Sequence, residues 1–399
     1  MTVHDDDMAA TASPESVIDG PAGWVAAAAT FLATFTVFGV AYSFGSFFGP
    51  MADEFGSDRG ATALFFAITT FLYFALGVIT GHVADVRGPR PVLIFGAVCL
   101  VVGLIATSRV TSIWAGYLTY GFGVGIGVAC AYVPMVASVG AWFDRYRTTA
   151  LGVAVAGIGV GTLTVSPLSE RLIESEGWRR SYVILAVGAA VLLALAAIGA
   201  RRPVVATTTG PTTSLRQIVR TSRTFWVLYG SMGLMSTALF VPFVFLPDYV
   251  ETKGIEGSAG WLIGLIGISS VVGRLGLGTL ASRMSSMALF RGSNLVLGLS
   301  FLIWLVFGDT YAALVVFVVV AGVAYGGFIA LAPAVTAELF GPVGLGAILG
   351  ALYTAAGIGG LIGPPAMGLI IDGAGYATAL VVTTALGVAA FAALLAVER

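Results

Sequence analysis

Long apolar runs separated by short polar segments dominate the chain. A helix needs about 20 apolar residues to cross the hydrocarbon core of a bilayer. Twelve runs of about that size lie at roughly 23–49, 60–82, 91–108, 112–141, 149–169, 181–200, 224–248, 258–281, 292–308, 311–337, 343–371 and 376–396. Strands of a membrane barrel would alternate instead. The pattern predicts an all-α polytopic membrane protein with twelve transmembrane helices.

Composition agrees with a chain embedded in a lipid bilayer. Hydrophobic residues make up 58% of the 399 residues and charged residues 10%, whereas soluble domains carry about 25% charged residues. The net charge of −1 offers no basic surface for nucleic acid. Cys99 and Cys130 lie inside apolar runs, and no catalytic set or metal-binding motif is visible. We therefore expect neither an enzyme nor a cofactor.

The longest polar break divides the runs into two groups of six. It predicts a tail over 1–22, a helical bundle over 23–200, a linker over 201–223 and a second bundle over 224–399. Ala156-Gly157-Ile158-Gly159 in the fifth run recurs as Ala356-Gly357-Ile358-Gly359 in the eleventh. Prolines follow both segments. Such repeats, with helices interrupted by Gly and Pro, are typical of pseudo-symmetric halves in secondary transporters.

The distribution of basic residues predicts the orientation. If the N-terminus is cytoplasmic, twelve arginines fall on the cytoplasmic side and six basic residues on the outer side. Short cytoplasmic loops carry the excess of Lys and Arg, so both termini are expected in the cytoplasm. The membrane is expected to be the cell membrane, either plasma or inner. The acidic head over 1–22 lacks the basic start of a secretory signal. The first run is therefore expected to be a retained helix.

Arg274 is the one basic residue inside an apolar run. A charge at the centre of a bilayer costs about 2.5–3.5 kcal/mol on insertion scales, and arginine cannot lose its proton. The sequence shows no Asp or Glu within two turns of Arg274. A forked, unpaired cation in a cavity suits a carboxylate, which it can bind bidentately. The alternative is a structural arginine bonded to backbone carbonyls of a neighbouring helix.

Several hydroxyl groups are candidates for neutral contacts to a small hydroxy- or keto-acid. They are Tyr42, Tyr117, Tyr120, Tyr132, Ser270, Tyr325 and Tyr353. Each tyrosine can equally be a packing aromatic with a satisfied hydroxyl. Tyr117 and Tyr120 are one turn apart, so both or neither should line a cavity. With one Asn and one Gln in the chain, a sugar site lacks its usual amide partners.

The segment from Gly81 to Arg90 between the second and third runs resembles a signature of the major facilitator superfamily. Charge pairs at this face would latch one conformation and release in the other. The candidate residues of this gate motif are Gly81, Asp85, Arg87, Arg90, Arg145 and Arg283. The alternative is that the arginines only anchor loops. The resemblance implies the major facilitator fold.

Other segments narrow the resemblance to the monocarboxylate transporter family. They include Asp19-Gly20 with Gly23-Trp24-Val25, and Trp142-Phe143-Asp144-Arg145-Tyr146-Arg147; Tyr325-Gly326-Gly327 with Gly363-Pro364 is similar to the oxalate/formate antiporters. The family's eighth-span arginine, which pairs with the substrate carboxylate, corresponds to Arg274. Where the family has an Asp and a Lys, this chain has Ser270 and Tyr42. A single cation favours a monoanion, and the proton carrier stays open between the substrate and Asp248.

These observations predict a monomeric secondary transporter of small monocarboxylates, such as lactate or pyruvate, that works by rocker-switch alternating access. Protons are a candidate second partner. Three alternatives remain: an organic-anion exchanger of the oxalate/formate type, an efflux transporter, and a receptor that binds without flux.

Overall fold

The computed structural model describes residues 18–202, 215–281, 283–341 and 345–397. In these ranges, ten helices are long and apolar enough to cross a membrane. Two of them contain a break at a glycine of positive φ, Gly177 in Arg147–Gly199 and Gly375 in Leu345–Leu395. Glycine adopts this backbone conformation without the penalty of a Cβ. Divided at these glycines, the helices are consistent with the predicted twelve spans.

The first half of the chain contributes spans 1 to 6. They are Pro21–Tyr42 with Phe44–Phe55 (span 1), Arg59–Arg87 (span 2), Pro89–Thr107 (span 3), Ile113–Gly116, Tyr117–Phe122, Gly123–Ala131 and Val133–Trp142 (together span 4), and Arg147–Gly199 (spans 5 and 6, divided at Gly177). The segment Tyr117–Phe122 is a π-helix.

The second half contributes spans 7 to 12 after the short helix Leu215–Thr221. They are Arg223–Leu239 with Val241–Thr252 (span 7), Ala259–Leu280 (span 8), Ser286–Phe307 (span 9), Tyr311–Phe340 (span 10) and Leu345–Leu395 (spans 11 and 12, divided at Gly375). We call the end of the molecule that bears residues 202 and 215 the linker face, and the other end the opposite face.

The repeat predicted that helices are interrupted at the prolines after the two repeated segments, but the breaks lie elsewhere. Pro167, Pro364 and Pro365 are inside helices that continue through them. Spans 4 and 7 instead break at Tyr132 and Phe240, each followed two residues later by a proline at the start of the next helix. Proline has no N–H to donate and is tolerated in the first turn of a helix, which explains why a new helix begins there.

The two halves pack through two antiparallel helix pairs, spans 5 and 8 and spans 2 and 11. Their contacts are very close: a Cβ on Gly159 of span 5 would lie 2.4 Å from the carbonyl oxygen of Gly267 in span 8. On span 11, a Cβ on Gly368 would lie 2.6 Å from the amide nitrogen of Gly60 in span 2. Small residues allow such approach where helices pack in a membrane. These pairs frame the space between the halves.

Candidate substrate-binding cavity

A cavity of about 860 Å³ lies between the halves, on the linker-face side. Spans of both halves line it, including spans 2, 4 and 5 from the first and spans 8, 10 and 11 from the second. Apolar side chains form most of its wall. They are Phe74, Val78, Val133, Val136, Leu151, Val155, Val271, Leu275, Ile329 and Leu349. The cavity is thus a largely apolar chamber with few polar groups.

Arg274 lines this cavity from span 8 and is 8% exposed. Its Nη1 donates to the carbonyl oxygen of Val155 in span 5 at 3.2 Å. Its guanidinium carbon lies 5.5 Å from the ring centroid of Tyr325. The buried Nε has no hydrogen-bond partner, and no acid within the described ranges pairs with Arg274. Arg274 thus has features of both interpretations. One N–H bonds a backbone carbonyl, as expected of a structural arginine, and the Nε has no partner, as expected of a residue that binds a carboxylate.

Close packing against span 10 fixes the direction of Arg274. A Cβ on Gly273 would lie 2.1 Å from the carbonyl oxygen of Val323, and a Cβ on Gly326 would lie 2.1 Å from that of Ser270. Gly273 must therefore face span 10. Because successive helix residues point about 100° apart, its neighbour Arg274 turns away from the centre of that contact and towards the cavity.

The candidate tyrosines divide into three groups by position. Tyr132 and Tyr353 line the cavity. Tyr42 and Tyr325 are buried beyond its lining, and their hydroxyls lie 3.2 Å apart, so this bond joins span 1 to span 10. Tyr325 also contacts Arg274 through its ring. The Tyr42–Tyr325 pair therefore links the two halves beside the arginine.

The remaining candidates lie away from the cavity. Tyr117 donates to the carbonyl oxygen of Ala61 at 2.7 Å. Tyr120 is fully buried among aromatic rings, including Phe44. Ser270 donates to the carbonyl oxygen of Gly267 in its own helix. The spacing of Tyr117 and Tyr120 predicted that both or neither would line the cavity. Neither does, because the π-helix and the aromatic cluster hold both inside the first half.

The predicted gate motif lies at the linker face, where it does not close the cavity. Gly81 and Asp85 line the mouth of the cavity, and Arg202 donates to the backbone carbonyl of Asp85 at 2.9 Å. Within the described ranges, none of the motif's charged side chains forms an ion pair across the halves. These charged residues are Asp85, Arg87, Arg90, Arg145 and Arg283. The cavity is therefore not closed by charge pairs at this face.

At the opposite face, Arg59 of span 2 bonds two acids of the second half. Its Nε lies 2.8 Å from Asp248 of span 7, and its Nη1 lies 2.9 Å from Asp372 of span 11. Tyr376 also donates to Asp248. The sequence indicated Asp248 as a candidate proton carrier, and in the structure its side chain is 14% exposed and paired with Arg59. Nothing in the linear sequence indicates this cluster.

A second connection at the opposite face was also missed. Glu170 of span 5 accepts hydrogen bonds from Ser258, Ala259 and Gly260 at the start of span 8. Aromatic contacts such as Phe48 with Phe245, whose centroids are 5.3 Å apart, fill the space between the halves nearby. The opposite face is closed, while the cavity is on the linker side.

Comparisons with known proteins identify the architecture. The family model of the Major Facilitator Superfamily matches residues 30–326. Monocarboxylate transporter 3 of Rattus norvegicus is 30% identical over 371 residues, which cover 89% of this chain and 75% of that protein. The chain belongs to the monocarboxylate transporter family of this superfamily. Monocarboxylate transporter 12-B of Danio rerio, at 28% identity, covers 90% of the chain and 83% of its own length.

A solved structure shares the fold of this monocarboxylate transporter family member. It is a bacterial homologue of the human lysosomal transporter Spinster, described as inward-facing and unoccupied. The TM-score is 0.72 at 15% identity, with 94% of this chain and 96% of that chain covered. At this identity the similarity concerns the fold alone. Fold and relatives together make the chain a multi-pass membrane transporter.

Proposed function

We propose that the chain transports small monocarboxylates by alternating access and that Arg274 binds the substrate carboxylate. The observation that carries this proposal is the unpaired Nε edge of a buried guanidinium in a cavity between the halves. A carboxylate that reaches the fork of Nε and Nη2 would accept two parallel hydrogen bonds. The names of the relatives support a monocarboxylate as the substrate class.

The lining of the cavity favours a monoanion with a short apolar tail. Arg274 is the one arginine among the residues that line it, and no lysine does. A second carboxylate would meet apolar walls, where an unpaired charge is strongly disfavoured. Each methylene buried against such walls contributes about 0.8 kcal/mol. Tyr132 and Tyr353 supply hydroxyls for an α-hydroxyl or α-keto oxygen of the substrate.

The arrangement of the two faces supports a rocker-switch mechanism in the cell membrane. We take the linker face as cytoplasmic because the arginine excess lies there, so the cavity faces inward. Residues 1–200 would rock against 224–399. In the outward-facing state, the bonds of Arg59 and Glu170 would break and the gate motif with Asp85 would close the linker face. We expect the monomer to be the transporting unit.

Two routes for a proton are compatible with the residues. Ser270 cannot supply a carboxyl beside Arg274, so the substrate can carry the proton itself. The alternative carrier is Asp248, which must first leave Arg59 and Tyr376. Uptake driven by a pH gradient would support proton symport. Uptake that ignores the gradient and requires a carboxylate on the other side would indicate an exchanger.

Uptake of labelled lactate into proteoliposomes tests the proposal. We expect Arg274→Ala to abolish uptake, because loss of the cation leaves the carboxylate in an apolar chamber. Arg216→Ala is the matched control, since Arg216 is exposed on the short helix before span 7. The control should transport like the unmodified protein, and both variants should keep their melting temperature. Full uptake by Arg274→Ala would overturn the assignment of Arg274.

A further inference from the structure

Glu170 joins the two halves at the end of the helix that carries Arg274. Its carboxylate accepts from the hydroxyl of Ser258, from the amide of Ala259 at 3.1 Å and from the amide of Gly260 at 3.2 Å. Ser258 is the N-cap of span 8, and its hydroxyl also accepts from the amide of Trp261. An acid of the first half thus completes the cap of a helix in the second half.

The same two helices meet again at the cavity. Arg274 of span 8 donates to the carbonyl oxygen of Val155 in span 5. Along each helix, this contact is about four turns from the Glu170 contact. Spans 5 and 8 are therefore joined at both ends of their antiparallel contact, by Glu170 near the opposite face and by Arg274 at the cavity.

Between these ends the two backbones touch. A Cβ on Gly267 would lie 2.7 Å from the carbonyl oxygen of Gly159, and a Cβ on Gly264 would lie 3.0 Å from the Cα of Leu163. A contact made by backbone on both sides cannot slide like one between flexible side chains. It can act as a pivot between spans 5 and 8. When the two helices separate at the opposite face, they approach each other at the linker face.

We propose that Glu170 is a positioning residue for transport, whose bonds to the start of span 8 hold Arg274 accessible from the linker face. The inference rests on the alternating access proposed above. When these bonds break, span 8 tilts about its glycine contact with span 5, the opposite face opens, and Arg274 becomes accessible from that side. Glu170 touches no substrate and acts through the helix that carries Arg274.

The chemistry of the start of span 8 explains why the Glu170 contact stabilises the closed state and not the open state. The first amides of a helix have no partner within the helix, and its N-terminus favours a negative charge. Glu170 supplies both the acceptor and the charge in the closed state. After separation, water must bond the amides of Ala259 and Gly260. Removal of the charge from Glu170 should therefore favour the open state specifically.

Thiol accessibility of the protein purified in detergent tests the proposal without any substrate. The background carries Cys99→Ala and Cys130→Ala, and Ser166→Cys serves as reporter, because Ser166 is fully buried one turn from Glu170. We expect Glu170→Gln to raise the rate of maleimide labelling at position 166 by roughly tenfold to a hundredfold, the equilibrium shift for loss of one charge-assisted hydrogen bond. Glu176→Gln is the matched control, since Glu176 pairs with Arg180 of the same half.

A second reporter separates this effect from general loosening of the fold. Thr148→Cys lies in the cavity at the linker face, and its labelling should slow in the Glu170→Gln background while that at position 166 rises. A damaged fold would raise both rates. Equal rates in Glu170→Gln and Glu176→Gln, or a rise at both reporters, would overturn the inference. A failed lactate assay with the reciprocal labelling pattern intact would count against the substrate alone.

Discussion

Arg274 is a buried guanidinium that lines the cavity, and no acid in the part of the chain that the structure describes forms an ion pair with it. One of its N–H groups is satisfied by the carbonyl of Val155, and its ring contact with Tyr325 stabilises the charge. Its buried Nε has no hydrogen-bond partner. Arginine keeps its charge at any physiological pH, so in the proposed mechanism a bound anion would lower the free-energy cost of burying this charge. That difference in free energy would couple substrate binding to the conformation of the transporter.

At the same scale, Asp19 binds the segment before span 1 to the loop between spans 4 and 5. Its carboxylate accepts from the amides of Asp144, Arg145 and Tyr146. Desolvation acts to raise its pKa, but these three amides outweigh it and lower the pKa below the usual value of 3.8. A lowered pKa in the folded state stabilises the fold above the unfolded value, and this stabilisation is lost as the pH falls through the folded value.

We therefore predict that Asp19→Asn lowers the melting temperature at pH 7 and that the difference from the unmodified protein shrinks below about pH 4. Asn tolerates the positive φ of Asp19, so the substitution changes the charge and not the backbone preference. Thermal unfolding in detergent across pH measures the effect. Asp53→Asn, at an exposed helix position, is the control for removal of a surface carboxylate. A constant difference across the pH range would contradict the role of the carboxylate.

At the scale of the element, the glycines of the two repeated segments make the same two kinds of contact, but at exchanged positions. In span 5, Gly157 packs on span 1 of its own half and Gly159 packs on span 8 of the other. In span 11, Gly359 packs on span 7 of its own half and Gly357 packs on span 2 of the other. Each segment thus serves one contact within a half and one between the halves. The aligned glycines are therefore not equivalent in structure, because the first one faces its own half in span 5 and the other half in span 11.

We predict that Gly159→Ala destabilises the protein by about 1–3 kcal/mol, the usual cost of overpacking. The added Cβ would lie 2.4 Å from the backbone oxygen of Gly267, which cannot rotate away. Gly188→Ala is the matched control in the helix of span 6, because nothing lies within 4 Å of its Cβ position. The control should be neutral or slightly stabilising, since alanine restricts the unfolded chain. Equal melting temperatures for the two variants would show that the helices can separate without cost.

At the scale of the whole molecule, the contacts between the halves are distributed unequally over the two faces. Arg59 and Glu170 bond the other half at the opposite face. At the linker face, the charged residues of the gate motif form no such pairs in the part of the chain that the structure describes. In the proposed rocker-switch mechanism, this asymmetry reverses during each cycle. We therefore expect the closed face to open for transport.

We predict that a covalent link across the opposite face stops transport. Cysteines introduced at Arg59 and Asp372, which bond each other across the halves, would be joined by a short reducible bis-thiol reagent. Uptake should cease after cross-linking and return with reductant. A cysteine pair at Glu176 and Arg180, one turn apart in one half, should cross-link without effect. Unchanged uptake after complete cross-linking of the first pair would exclude rocking at this face.

The sequence predicted the site in part. It identified Arg274 as the exceptional charge, and Tyr132 and Tyr353 among seven hydroxyl candidates do line the cavity. It could not separate them from Tyr117 and Tyr120, because helical spacing is equally compatible with a cavity and with an aromatic core. The π-helix that contains these two tyrosines has no simple sequence signal.

What the sequence determined by itself are the properties that follow from local composition. Apolar run length gives the spans, the arginine excess gives an expected orientation, and the scarcity of charge makes Arg274 conspicuous. The tertiary structure decided which polar groups meet. Arg59 lies 189 residues from Asp248 and 313 from Asp372, and Glu170 lies 88 from Ser258. Local periodicity contains no information on such contacts, because these bonds depend on how helices that are far apart in the sequence pack against each other.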